Sequence, residues 1–129
     1  MSPSAEVLIV EDDEDIAALL AHRVSRQGHH PTVARTGAAA LDRARAARPD
    51  LVLLDLGLPD MHGWEVLDGL RGDATLAAVP VVVVSIADEA LSLDRPVQGH
   101  VTKPFTAADL DRRVAAALIP PSPDEEPRP

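Results

Sequence analysis

Five residue positions in this 129-residue chain carry chemistry: the acids Glu11 and Asp12, the lone acid Asp55 inside "LVLLDL", the hydroxyl of Ser85 after "VVVV", and Lys103 in "VTKPF". Three carboxylates that converge repel one another. Two of them about 5 Å apart at an effective dielectric near 20 cost roughly 3 kcal/mol. A hard divalent cation relieves that repulsion, and Mg²⁺ favours one or two carboxylates, several waters and a phosphate. With the cation in place, a hydroxyl and an ammonium make the same site receptive to a phosphoryl group. Asp55, flanked by apolar residues, is then the carboxylate placed to attack phosphorus.

These residues are far apart in sequence, so the fold must gather them. "VLIV" (Val7 to Val10), "LVLLDL" (Leu51 to Leu56) and "VVVV" (Val81 to Val84) are short, continuous and rich in β-branched residues, as strands buried on both faces of a parallel sheet are. "PTVA" (Pro31 to Ala34) and "GHVT" (Gly99 to Thr102) read as weaker strands. Helical patterns lie between. Ile16, Leu19, Leu20 and Val24 form the stripe of the first, stopped by Gly28. Ala38 to Ala47 forms the second and is closed before Pro49. "GWEVLDGLRG" forms the third, with Trp64, Leu67 and Leu70 inward. Thr106 to Leu118 forms the last, with a capping-box-like start at Thr106 and Asp109. Five alternations of strand and helix predict a doubly wound α/β fold in which strand ends converge on one rim. The stretch from Ala87 to Gln98 holds only one or two helical turns, and "PPSPDEEPRP" reads as a disordered tail or linker stub.

Composition narrows the classes further. One domain fits the length. Only Trp64 and Phe105 are aromatic, so the core must be aliphatic. The net charge of −9 disfavours direct nucleic-acid binding and anionic membrane surfaces. No apolar run is long enough to span a bilayer, "MSPSAE" lacks a signal-peptide layout, and the expected location is cytoplasmic. Without cysteine, any metal must bind through oxygen or histidine. Lys103 is the only lysine among twelve basic residues.

Rival readings of the acid run are weaker. A nucleotide-phosphate site would place a Gly-, Ser- or Thr-rich loop after the first strand, where this chain is acidic. An EF-hand would need Gly where Ile16 stands. Asp13, Glu14 and Asp15 read as the cap and first turn of a helix. Asp60, His62 and His22 read as surface residues, and His29 and His30 as flanking a strand.

The ordered set "LIVEDDEDI", "RPDLVLLDLGLPDMHGWEVL", "PVVVVS" and "VTKPF", spanning about residues 6 to 118, resembles the receiver domain of two-component response regulators. The resemblance implies a flavodoxin-like (βα)₅ fold with strand order 2-1-3-4-5 and, here, a shortened fourth helix region. It implies a receiver at residues 1–118 and a Pro-rich acidic tail at 119–129. It assigns the phosphoacceptor to Asp55, direct Mg²⁺ ligation to Asp12 and Asp55, the metal-shell carbonyl to Gly57, and a water-mediated metal contact to Glu11. Mn²⁺ is the alternative ion. Ser85 and Lys103 would bind the phosphoryl group, and the Lys103 to Pro104 peptide would be cis. The implied donor is a sensor histidine kinase or phosphotransfer protein. The implied target is a downstream protein or an output domain, with a second copy of the chain as a further candidate partner. The only chemistry implied is the domain's own phosphorylation and dephosphorylation.

Two positions depart from the family pattern. His100 stands where a Tyr or Phe usually swings inward, and Ile86 where a small residue usually follows the hydroxyl. These departures, with the shortened segment from Ala87 to Gln98, keep an unphosphorylated docking module open as an alternative. A Mg²⁺-dependent phosphohydrolase is weaker, because Gly57 occupies the place of its usual second Asp.

Overall fold

The computed structural model describes residues 4–86 and 97–118. Along the chain run β1 (Glu6–Val10), α1 (Glu14–Arg26), β2 (His30–Ala34), α2 (Gly37–Ala46), β3 (Leu51–Asp55), α3 (Gly63–Arg71), β4 (Val81–Ile86), β5 (Gly99–Lys103) and α4 (Ala107–Leu118). The sheet is parallel throughout in the order β2-β1-β3-β4-β5. The expected doubly wound, flavodoxin-like architecture is therefore present. The expected short fourth helix region lies almost wholly outside the described residues, and so does the tail at 119–129.

The continuous apolar runs are explained by burial on both faces. Successive strand side chains point to opposite sides. Leu8, Val10, Val52, Leu54, Val81 and Val83 pack with Ala40 and Ala44 of α2 and Trp64, Leu67 and Leu70 of α3. Val7, Ile9, Leu51, Leu53, Val82 and Val84 pack on the other side with Leu20 and Val24 of α1 and Leu110 and Val114 of α4. Each fully buried Val or Leu contributes roughly 1.5–3 kcal/mol relative to exposure, so neither face can turn polar.

Helix ends follow local chemistry. Asp13 caps α1 by accepting from the Ile16 N–H at 3.0 Å. The helix ends in a Schellman turn: the His29 N–H donates to the Val24 carbonyl and the Gly28 N–H to the Ser25 carbonyl, with Gly28 at φ 87°. Thr36 caps α2, which starts at Gly37 and not Ala38. Thr106 Oγ1 accepts from the Asp109 N–H at the start of α4.

One expected core residue is misplaced. Leu19 is exposed, while Ala17, Leu20 and Val24 are buried and Ile16 is half-buried. At about 100° per residue, Ile16, Leu20 and Val24 span an arc of about 80°; Ala17 lies only about 20° beyond its Val24 edge, whereas Leu19 lies about 60° beyond its Ile16 edge.

Candidate functional site

Every strand end that bears a candidate residue meets the same rim. Val10 pairs with Leu54, Asp55 with Val84, Ser85 with Thr102 and Ile86 with Lys103. Glu11 and Asp12 follow β1 directly, Asp55 ends β3, and Lys103 ends β5.

The structure brings four of the sequence-derived residues together. Glu11, Asp12 and Asp55 offer carboxylate oxygens that all lie within 4.8 Å of one another, and they are the metal-competent cluster among the described residues. Glu11 and Asp55 are buried and Asp12 is exposed, so the cluster opens to solvent on the Asp12 side. Three hard oxygen donors with one open face suit a small divalent cation that keeps its waters. The Lys103 ammonium donates to Glu11 Oε1 at 2.9 Å and approaches Asp55 Oδ1 at 3.5 Å. Glu11 Oε2 accepts from the Asp13 N–H at 3.3 Å, and Asp55 Oδ1 from the Gly57 N–H at 3.2 Å.

The electrostatics follow from that crowding. Burial, then the neighbouring Asp55, raises the Glu11 pKa to about 7 against the opposing pull of Lys103. Burial works against the Lys103 ammonium, yet Glu11 and Asp55 outweigh it, and its pKa is raised.

Ser85 belongs to a different contact group. It is fully buried, and its hydroxyl donates to the Ile86 carbonyl at 3.3 Å and lies 3.0 Å from His100 Nε2. His100 is thus turned in toward Ser85, and Thr102 Oγ1 lies 3.5 Å from its Nδ1. Burial and then Arg113 push the His100 pKa down. Ile86 is half exposed beside Ser85. The Lys103–Pro104 peptide is cis.

Two residues read as plain surface have structural work to do. The Gly37 and Ala38 N–H groups donate to the two oxygens of Asp60 at 2.8 and 3.0 Å, which ties the loop after β3 to the start of α2 and holds the Asp60 pKa down. His62 caps α3: its Nδ1 accepts from the Trp64 N–H while Glu65 accepts from the His62 N–H. The spacing from His62 to Glu65 is the sequence signal for this capping box, disguised by a His where Ser or Thr is usual. Asp60 has no local signal, because its partners are 22 and 23 residues away. Of the two histidines expected to flank a strand, His29 precedes β2 and His30 is its first residue. His29 Nδ1 accepts from the Ala5 N–H, and His30 meets Glu6 at 2.9 Å.

Comparisons with known proteins converge on the same architecture. The family model for the response regulator receiver domain matches residues 7–115. The chain is 40% identical over 116 residues to the transcriptional regulatory protein KdpE of Mycobacterium tuberculosis, covering 87% of this chain and 50% of that protein. It therefore spans about half the length of the curated relatives it matches. A crystal structure of a sensor protein from Polaromonas sp. JS666 superposes with a TM-score of 0.83 at 28% identity, covering 90% of this chain and 97% of that one. The signal receiver domain of a signal transduction histidine kinase from Syntrophus aciditrophicus superposes at 0.82 with 30% identity, covering 89% and 90%. With the sheet order, the acidic cluster and the lysine in place, the chain belongs to the response regulator receiver domains of two-component signal transduction.

Proposed function

We propose that this receiver accepts a phosphoryl group on Asp55 from the phosphohistidine of a sensor kinase or phosphotransfer protein. The observation that carries the reading is Asp55 itself: a buried carboxylate with an oxygen within 4.8 Å of oxygens of Glu11 and Asp12, and with the Lys103 ammonium 3.5 Å from its Oδ1. An Asp55 oxygen attacks phosphorus, the P–N bond to the partner's imidazole breaks, and the imidazole leaves with that electron pair. Lys103 would turn from the carboxylates to the new phosphoryl oxygens, and Ser85 would donate its hydroxyl proton to another.

Asp12 and Asp55 would hold Mg²⁺ or Mn²⁺ directly, with the Gly57 carbonyl. Glu11 would act through water, as the family pattern implies. When bound, the ion supplies positive charge that offsets both the carboxylate repulsion and the charge on the phosphoryl oxygens.

The reading extends to partners. Relatives named as transcriptional regulatory proteins are about twice the matched length, which supports a receiver that signals to an output domain or a separate protein, with residues 119–129 as connecting chain beyond a domain at 1–118. A second copy of the chain is a further candidate partner. At a net charge of −9 the receiver itself would not contact nucleic acid. Among the described residues no helix is long and apolar enough to cross a membrane, and a cytoplasmic location fits the partners proposed. The domain's turnover is confined to its own phosphorylation state.

The test is incubation with Mg²⁺ and acetyl phosphate, followed by intact-mass measurement. The expected result is a gain of one phosphoryl group that Asp55→Asn abolishes. No gain, with this donor or a cognate kinase, would leave the docking-module reading in its place.

A further inference from the structure

The Ser85 hydroxyl has one proton and, among the described residues, two hydrogen-bond neighbours, the Ile86 carbonyl at 3.3 Å and His100 Nε2 at 3.0 Å. A carbonyl oxygen only accepts, so the proton directed to Ile86 leaves the Ser85 oxygen to accept from His100. With the proton so directed, Nε2 carries the ring hydrogen. Nδ1 is left as the acceptor, facing the Thr102 hydroxyl at 3.5 Å. Strand register produces this line: Ser85 is paired with Thr102 and Val83 with His100, so alternation puts all three side chains on the same face. The lowered pKa favours the neutral imidazole, in which one ring nitrogen donates and the other accepts.

We propose that His100 is a positioning residue, which donates its Nε2–H to the Ser85 oxygen and thereby reserves the Ser85 proton for a phosphoryl oxygen at Asp55. This rests on Asp55 as the acceptor. The consequence is a hydrogen-bond line from Thr102 through His100 to Ser85, polarised toward the rim. On phosphorylation the Ser85 O–H exchanges the Ile86 carbonyl for the phosphoryl oxygen and keeps its bond from His100. No bond in the line has to break for the new one to form. With the opposite tautomer, Ser85 would donate to Nε2 and would have to give up His100 to reach the phosphoryl group. A Tyr or Phe ring at position 100 offers no nitrogen to do this.

Long-range ¹H–¹⁵N correlation spectra of the metal-free, unphosphorylated protein read the tautomer directly. The Nε2–H form is expected for His100, and a predominant Nδ1–H form would overturn the proposal. On the same protein, initial phosphorylation by acetyl phosphate at saturating Mg²⁺ should slow about five-fold in His100→Phe, the worth of one hydrogen bond, with Mg²⁺ affinity unchanged. His100→Gln, which keeps an N–H donor, should recover part of the rate. Equal rates in wild type and His100→Phe, or no recovery with Gln, would overturn it. If wild type itself gains no phosphoryl group, the acceptor reading fails and not the tautomer assignment, which the spectra report independently.

Discussion

Lys103 Nζ donates to Glu11 Oε1 at 2.9 Å across 92 residues of sequence, joining the end of β5 to the end of β1 over the top of the strand that carries Asp55. This ammonium is the counter-charge that keeps Glu11 from rising further: its hydrogen bond and its charge both lower a carboxyl pKa that burial and Asp55 raise to about 7. Lys103→Met removes that pull. The Glu11 pKa should move above 7 in the variant, read from its side-chain carboxyl ¹³C shift during a pH titration of the metal-free protein. A Glu11 pKa unchanged by the substitution would show that the pair is a contact without electrostatic consequence.

The same shift makes metal-free stability depend on pH with a defined sign. A carboxyl with a reference pKa of 4.5 and a folded value of about 7 binds its proton more tightly when folded. Its stabilising contribution is fully present below 4.5 and is lost as pH rises through 7. Metal-free protein should therefore lose stability from this group between about pH 5 and pH 7, in urea unfolding followed by Trp64 fluorescence. His100, with its lowered pKa, acts in the opposite sense in the lower part of that window. Comparison with Glu11→Gln separates the two, since His100 is common to both proteins. Between about pH 5 and pH 7 the wild-type curve should fall more steeply than that of Glu11→Gln, and parallel curves there would contradict the assignment.

The acid run itself should divide by function. Asp12 contributes to the carboxylate cluster, whereas Glu14 and Asp15 are exposed residues in the first turn of α1, behind the Asp13 cap. Calorimetric titration should show Mg²⁺ binding abolished in Asp12→Ala. Glu14→Ala and Asp15→Ala should bind nearly as wild type does, each losing only the few tenths to 1 kcal/mol of stability that an acid at a helix N-terminus supplies. A large loss of affinity in either would mean that the run acts as one electrostatic unit.

Much of this is legible in the sequence. Val81 to Val84 and Leu51 to Leu54 could be read as strands because only burial on both faces tolerates unbroken apolar runs, and parallel order then brings Asp55, Ser85 and Lys103 to one rim. Asp13 and Thr106 were legible as caps because capping is local. What escaped depends on rotation or distance. Leu19 failed because Leu20 already filled the seam and Ala17 is small enough to share it. Asp60 reaches a helix start 22 and 23 residues earlier in the chain, and nothing near it in sequence marks that reach. His100 was visible as a departure from the family pattern, but whether it turned inward depended on the pairing of β4 with β5 and on the bond to Ser85.

The loop behind Asp55 supplies a last prediction, because its two glycines face opposite constraints. A Cβ on Gly63 would stand 2.6 Å from the Leu56 Cα and 2.7 Å from the Asp55 carbonyl oxygen, both backbone atoms. The Gly63 N–H also donates to the Leu56 carbonyl at 2.8 Å, so α3 begins with its backbone directly against the end of β3. A methyl there cannot be accommodated by a side-chain rotation, and either α3 or the end of β3 must move. Gly63→Ala should cost about 1–3 kcal/mol or more, and because the displaced segment includes Asp55 it should also weaken Mg²⁺ binding. Gly57 offers the contrast. An added Cβ there meets nothing within 4 Å, and the group proposed to serve the metal is its carbonyl, which alanine retains. Gly57→Ala should keep both urea midpoint and Mg²⁺ affinity close to wild type. A Gly57→Ala protein as impaired as Gly63→Ala would mean that the loop's flexibility, and not the close approach of Gly63 to β3, positions the acceptor.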